Sequence, residues 1–161
     1  MYAYLQDQII PEEKAFLHVR DLSIQRGYGI FDFFKIKNGH AFFLDDYLNR
    51  FYNSAKTMHL KVHQQPDELK SIIYQLIKKN NLADSGIKMI LTGGYSGDGY
   101  QPADPNLIIT QHPLTLPGKE QLEKGVKIIT HNYVRDLPDA KTINYSMGIW
   151  LIDTIKQESA Y

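Results

Sequence analysis

Hydrophobic and polar positions follow two different periods along the first half of the chain. Residues 2–6 (Tyr-Ala-Tyr-Leu-Gln) alternate weakly and predict a strand, which Pro11 closes. Residues 15–19 read as a short extended piece. Residues 26–37 end with apolar side chains alternating with lysine, as a half-buried strand does. Asn38-Gly39 predicts a type I′ hairpin turn, and residues 41–44 (Ala-Phe-Phe-Leu) the returning strand. The period then becomes helical. Leu48, Phe51, Tyr52, Ala55 and Met58 fall on one face of a helix capped by Asp45 or Asp46 and running to about His59. Pro66-Asp67-Glu68 opens a second helix, with its acids where the helix dipole favours them. Its stripe is Leu69, Ile72, Ile73, Leu76 and Ile77.

The second half is less regular. Residues 87–92 and 106–110 read as strands joined by the glycine-rich loop 93–100. Residues 113–118 carry two prolines and a glycine and predict a linker. Beyond it come a helical turn at 120–124, a strand at 126–130 and a helix at 144–157. Residues 1–112 thus hold enough strands and helices for a compact α+β unit, whereas 119–161 are too few to bury a core of their own.

Composition narrows the function classes. The 43% hydrophobic and 22% charged residues are ordinary for a globular protein. A net charge of zero argues against a general nucleic-acid binder and against an anionic-membrane binder. The absence of cysteine excludes disulfides and thiolate metal sites. No apolar run approaches the ~20 residues that span a bilayer, and no secretory apolar region follows Met1, so a cytoplasmic location is expected.

The candidate chemistry lies in residues 135–145, Arg-Asp-Leu-Pro-Asp-Ala-Lys-Thr-Ile-Asn-Tyr. Lys141 stands between a proline turn and an apolar run. Burial disfavours an ammonium, and a neutral amine is what a Schiff base with an aldehyde requires. From local context alone, a solvated lysine at a helix start is the favoured reading, because short motif matches often mislead. Likewise Arg50 has two readings: a surface ion pair with Asp46 four residues earlier, or a planar fork for phosphate oxygens.

Four segments, in order, carry a family resemblance. Gly27-Tyr28-Gly29-Ile30-Phe31-Asp32 resembles a Gly-Asp-Gly-Val-Phe-Glu motif. Residues 44–51, Leu-Asp-Asp-Tyr-Leu-Asn-Arg-Phe, resemble a phosphate-gripping helix. Ile90-Leu91-Thr92-Gly93-Gly94 is similar to a Thr-Arg-Gly strand end, and residues 135–145 to a cofactor-lysine segment. Together they resemble the fold-type IV pyridoxal-phosphate enzymes, the class IV aminotransferases, which include branched-chain and D-amino-acid aminotransferases and aminodeoxychorismate lyases. The resemblance implies the small N-terminal α+β domain of that fold over 1–112, a linker at 113–118, and the beginning of the larger cofactor-binding domain over 119–161. It implies pyridoxal 5′-phosphate held as an internal aldimine on Lys141, with Arg50 on its phosphate and Tyr145 on its phenolic oxygen. The amino group would pass between an amino acid, branched-chain or aromatic, and a 2-oxo acid, in a homodimer. An aminodeoxychorismate lyase, or an inactive dimerising remnant, is the alternative.

The departures are as informative. Thr92-Gly93-Gly94 lacks the arginine that holds the substrate carboxylate in D-amino-acid aminotransferases, and Arg26 is the candidate to supply that contact. Tyr28, Phe31 and Tyr95 form an aromatic substrate-binding neighbourhood suited to an apolar or aromatic side chain. No acid stands where the family's glutamate pairs with the cofactor's ring nitrogen, well beyond the lysine; the last acid is Glu158. Weak or no activity of these 161 residues alone is the expectation.

Overall fold

The computed structural model describes residues 1–161. Six antiparallel strands form one sheet in the order β2-β1-β6-β5-β3-β4. They are β1 (Tyr2–Leu5), β2 (Gln8–Pro11), β3 (Gly29–Lys37), β4 (His40–Ala41), β5 (Ser85–Thr92) and β6 (Leu107–His112). Strands β3 and β5 pair over eight residues, from Gly29 opposite Thr92 to Ile36 opposite Ser85. This register puts Ile30, Asp32, Phe34 and Ile36 on the same face as Leu91, Met89, Ile87 and Ser85, and all eight are buried.

Two amphipathic helices cover that face, α2 (Leu44–Thr57) and α3 (Pro66–Asn80). Helix α2 packs on β3, and α3 on β1 and β6. Phe51, Leu48 and Ala55 of α2 meet Leu69, Ile73 and Leu76 of α3 and the sheet in one cluster of twenty buried residues. Each large apolar side chain enclosed in this way contributes roughly 1.5–3 kcal/mol.

The hairpin turn is as expected, with Asn38 and Gly39 at φ +51° and +76°, the pair of positive angles a type I′ turn needs. The returning strand is shorter than its sequence suggests. It ends at Ala41, because Phe43 adopts φ +51° and starts α2 directly. Asp45 and Asp46 therefore lie in the first turn of α2 rather than capping it. Helix α3 opens as predicted, with Pro66 in its first turn and Gln65 and Glu68 forming a reciprocal cap. Pro11 does not close the first strand. The chain turns at Gln6-Asp7, and Pro11 sits on edge strand β2, where a missing N–H is tolerated. Residues 15–19 are irregular.

Beyond β6 the chain is a string of short helices: α4 (Lys119–Lys124), α5 (Ser146–Trp150) and α6 (Ile152–Gln157). None has a buried residue. The expected strand at 126–130 does not form, since no sheet edge lies alongside to accept its hydrogen bonds. The expected helix at 144–157 is divided at Leu151. Ala140 is the one buried residue after His112. It marks where this part of the chain is anchored to the sheet. No helix is long and apolar enough to cross a membrane.

Candidate active site

The anchor follows from an unfilled edge. Strand β4 covers only Ile36 and Lys37 of β3, which leaves the backbone of residues 29–31 open on that side. An open edge of this kind attracts another extended segment. Residues 141–143 fill it. Phe31 N–H donates to the Lys141 carbonyl at 2.9 Å, Ile143 N–H donates to the Gly29 carbonyl at 3.1 Å, and Ile30 stands opposite Thr142. Gly29 permits the approach: a Cβ there would lie 2.7 Å from the Leu91 carbonyl oxygen and 3.1 Å from the Ile143 side chain.

The register then sets where the lysine goes. Lys141 falls opposite Phe31, so its side chain shares the sheet face of that ring. Its Nζ sits 4.4 Å from the Phe31 centroid, and the residue is half-buried. The Lys141 N–H donates to Ser54 Oγ of α2 at 3.1 Å, tying the segment to the helix as well as to the strand.

One helical turn before Ser54 stands Arg50, on the same face of α2. Arg50 is not paired with Asp46. Its Nε and Nη2 donate to the two oxygens of Asp32 at 2.9 and 2.6 Å. The Asp32 carboxylate is fully buried, whereas the arginine side chain is half exposed. Asp32 also accepts the Phe33 N–H at 2.8 Å. Hydrogen bonding to Asp32 raises the arginine's already high pKa, so the guanidinium stays charged. A guanidinium carries five N–H groups, and this pairing uses one edge. Its remaining N–H groups make no hydrogen bond, and the guanidinium, half exposed, lies 5.1 Å from the Tyr47 ring centroid.

Tyr145 completes the group. Its ring meets Phe31 edge-on, with centroids 5.3 Å apart at 73°. The Arg135 guanidinium beside its hydroxyl, and then Lys141, hold the phenol below its ordinary pKa against the opposing effect of burial. Arg50, Lys141, Tyr145 and Phe31 are therefore brought together at the edge of β3.

Other expected residues are placed differently. Arg26 and Tyr28 line a neighbouring cavity of about 170 Å³ with Arg135, Thr142 and Asn144. Arg26 Nε donates to the Gly99 carbonyl at 3.1 Å. Tyr28 uses its hydroxyl on the Met58 carbonyl, so only its ring is free for the cavity. Tyr95 stands apart from both groups, stacked edge-on against His18 and accepting a hydrogen bond from Gln6. Nearby, buried Asp21 caps the short helix α1 (Leu22–Arg26) through Ser23 N–H. It also accepts from Thr92 and Asn106, so it fixes the loop that follows β5.

The amino-transferase class IV family model matches residues 29–160. The chain belongs to the class IV aminotransferases. Among its relatives, the D-alanine aminotransferase of Bacillus licheniformis is 26% identical over 165 residues, matching all of this chain and 58% of the relative. The branched-chain-amino-acid aminotransferase of Escherichia coli is 26% identical over 146 residues, covering 86% of this chain and 47% of the relative. The chain thus spans about half the length of the curated class IV relatives it matches. The crystal structure of the E. coli branched-chain enzyme superposes with a TM-score of 0.84 over 99% of this chain and 57% of that one, at 23% identity. That likeness fixes the α+β fold as the N-terminal part of the class IV fold. The family uses pyridoxal phosphate.

Three residues of this cluster were not singled out from sequence. Asp32 appeared only as part of a motif, Ser54 as a helix position and Arg135 as the start of a segment. The signal for Asp32 was available: an acid at an inward position of an otherwise apolar strand needs a partner.

Proposed function

We propose that this chain contributes the lysine and phosphate-binding side of a pyridoxal-phosphate-dependent aminotransferase. The amino group would move between an amino acid and a 2-oxo acid. One observation carries the reading. The Lys141 backbone is hydrogen-bonded to α2 at Ser54, one turn from an Arg50 whose fork is fixed by buried Asp32. Those residues fit the cofactor's two ends, an amine for its aldehyde and an oriented guanidinium for its phosphate. When bound, pyridoxal phosphate supplies the electron sink for the chemistry.

The chain's own residues do the rest. The outer edge of Arg50 grips phosphate oxygens. Lys141 serves as general base and acid at the substrate's α-carbon once its amine is released. Tyr145 offers its hydroxyl to the cofactor's phenolic oxygen. Phe31 walls the site, and the Tyr28 ring walls the cavity beside it. Arg26 binds the substrate carboxylate there, and with Tyr28 and Phe31 it favours a branched-chain or aromatic amino acid. Tyr95 serves substrate binding only if the loop that carries it moves. Residues 1–112 form the small domain, 113–118 the linker and 119–161 the start of the larger cofactor-binding domain. The apolar side chains left exposed along 119–161, among them Ile128, Val134, Ile149 and Trp150, support that division. The working enzyme is a cytoplasmic homodimer, and these 161 residues alone have weak or no activity.

The test is chemical. Pyridoxal phosphate is added to the protein, the adduct is reduced with borohydride, and tryptic peptides are mapped. The tag is expected on the peptide holding Lys141. A tag spread over surface lysines, with none on Lys141, would remove the reading. A separate variant addresses the carboxylate. Arg26→Ala should raise the KM for the amino acid at least about tenfold, the loss of one charge-assisted contact, with kcat little changed. An unchanged KM would remove Arg26 from the site.

A further inference from the structure

Arg50 is held by more than its acid. The Cζ of its guanidinium lies over the ring of Tyr47, 5.1 Å from the centroid. That ring has a second neighbour. Phe34 packs on it, with centroids 5.4 Å apart and the planes tilted by 34°. Phe34 is buried in the core, and Tyr47 is partly buried against the same cluster. The tyrosine ring is thus supported by a core side chain and in turn supports the cation.

Two spacings make this match possible. Asp32 and Phe34 are two residues apart on β3, so both point to the face that α2 covers. Tyr47 and Arg50 are three residues apart on α2, so they are neighbours on one side of the helix. The strand pair therefore meets the helix pair. Asp32 takes the edge of the guanidinium, and Phe34 takes the ring on which the guanidinium lies. An edge contact alone lets the guanidinium plane tilt about the line of its two bonds. A ring face beside the plane opposes that tilt. The attraction between a cation and a ring face at a partly exposed site changes an equilibrium by about two- to fivefold.

We propose that Tyr47 is a positioning residue for Arg50. Asp32 sets the direction of the guanidinium within its plane, and the Tyr47 ring, braced on Phe34, sets the plane. The N–H groups left over then meet an anion in one orientation, and little side-chain freedom is lost when it binds. That the anion is the cofactor's phosphate rests on the function proposed above. The clamp around Arg50 does not. A lysine could not take the place of this arginine, because an ammonium has no plane to lay on the ring while it spans both carboxylate oxygens.

The test begins with the protein free of cofactor. Nitrogen NMR relaxation follows the Arg50 Nε–H, and circular dichroism confirms folding. In wild type this group should be as ordered as rigid backbone, with an order parameter of about 0.85. Tyr47→Phe keeps the ring and should match it. Tyr47→Leu should fall towards about 0.6, where groups are flexible. An order parameter in Tyr47→Leu equal to that of wild type would overturn the proposal. Should Tyr47→Leu fail to fold, Tyr47→Met is judged by the same criterion. The second arm compares the affinities for pyridoxal phosphate and pyridoxal. Wild type should favour the phosphorylated form. Tyr47→Leu should lose about two- to fivefold of that preference, and Tyr47→Phe should keep it. A disordered Arg50 in Tyr47→Leu with the preference undiminished would remove Tyr47 from the binding function. A wild type that binds both forms alike would dismiss the phosphate reading of Arg50, with the clamp decided by the relaxation data alone.

Discussion

Arg50→Ala should destabilise the fold by roughly 3 kcal/mol, the lower end of the range for breaking a buried ion pair. The lower end applies because the arginine is half exposed and loses little packing. The cost comes from what is left behind. Asp32 lies fully buried on the core face of β3, and without Arg50 only the Phe33 N–H would remain bonded to it. A carboxylate in that position is strongly disfavoured. Asp32→Asn in the Arg50→Ala background should therefore recover more than half of the loss. Urea unfolding of the wild type, the single variants and the double variant measures this directly. If Asp32→Asn brings no recovery, the stability of this edge does not depend on the pair. The same cycle bears on function. If Asp32 aims the guanidinium, Asp32→Asn alone should weaken phosphate binding while leaving Arg50 in place.

Lys141→Ala should abolish the visible absorbance that develops with pyridoxal phosphate, and cost little stability. Both parts follow from how the segment is held. Its docking bonds use the Lys141 carbonyl and N–H, which alanine retains. Alanine removes only the ammonium that rests against the Phe31 ring, an interaction worth about 0.5–1 kcal/mol at a partly exposed site. In an assembled enzyme, loss of the general acid–base should also lower the rate by roughly 10²–10⁴-fold. Persistence of the visible band in Lys141→Ala would assign the cofactor to another amine. A large loss of stability would show instead that the side chain, and not the backbone, anchors residues 140–143.

Much of the architecture was legible because it is encoded locally. The Asn38-Gly39 turn, the stripes of α2 and α3 and the Pro66-Asp67-Glu68 helix start are patterns within a few residues, and each forms where it is read. Errors arose where a local pattern lacked a tertiary partner. Residues 126–130 have strand character but no edge to join, and residues 41–44 are apolar enough for a strand until Phe43 turns into α2. The ion-pair partner of Arg50 was hidden for the same reason. Asp46 lies within helical reach, but a fully buried acid on the strand facing α2 gains more from the charge than an exposed one four residues away.

The sequence by itself therefore determined most of the sheet strands, the two long helices and the family, and singled out Lys141 and Arg50 as candidates, since these rest on periodicity and short motifs. Only the tertiary structure decided how they meet. Arg50 is paired with an acid 18 residues away, and Lys141 with a serine 87 residues away. Contacts of that range depend on strand register, on the open edge of β3 and on the missing side chain of Gly29. No pattern within a single element specifies them, because burial of the whole sheet is what makes one register cheaper than its neighbours.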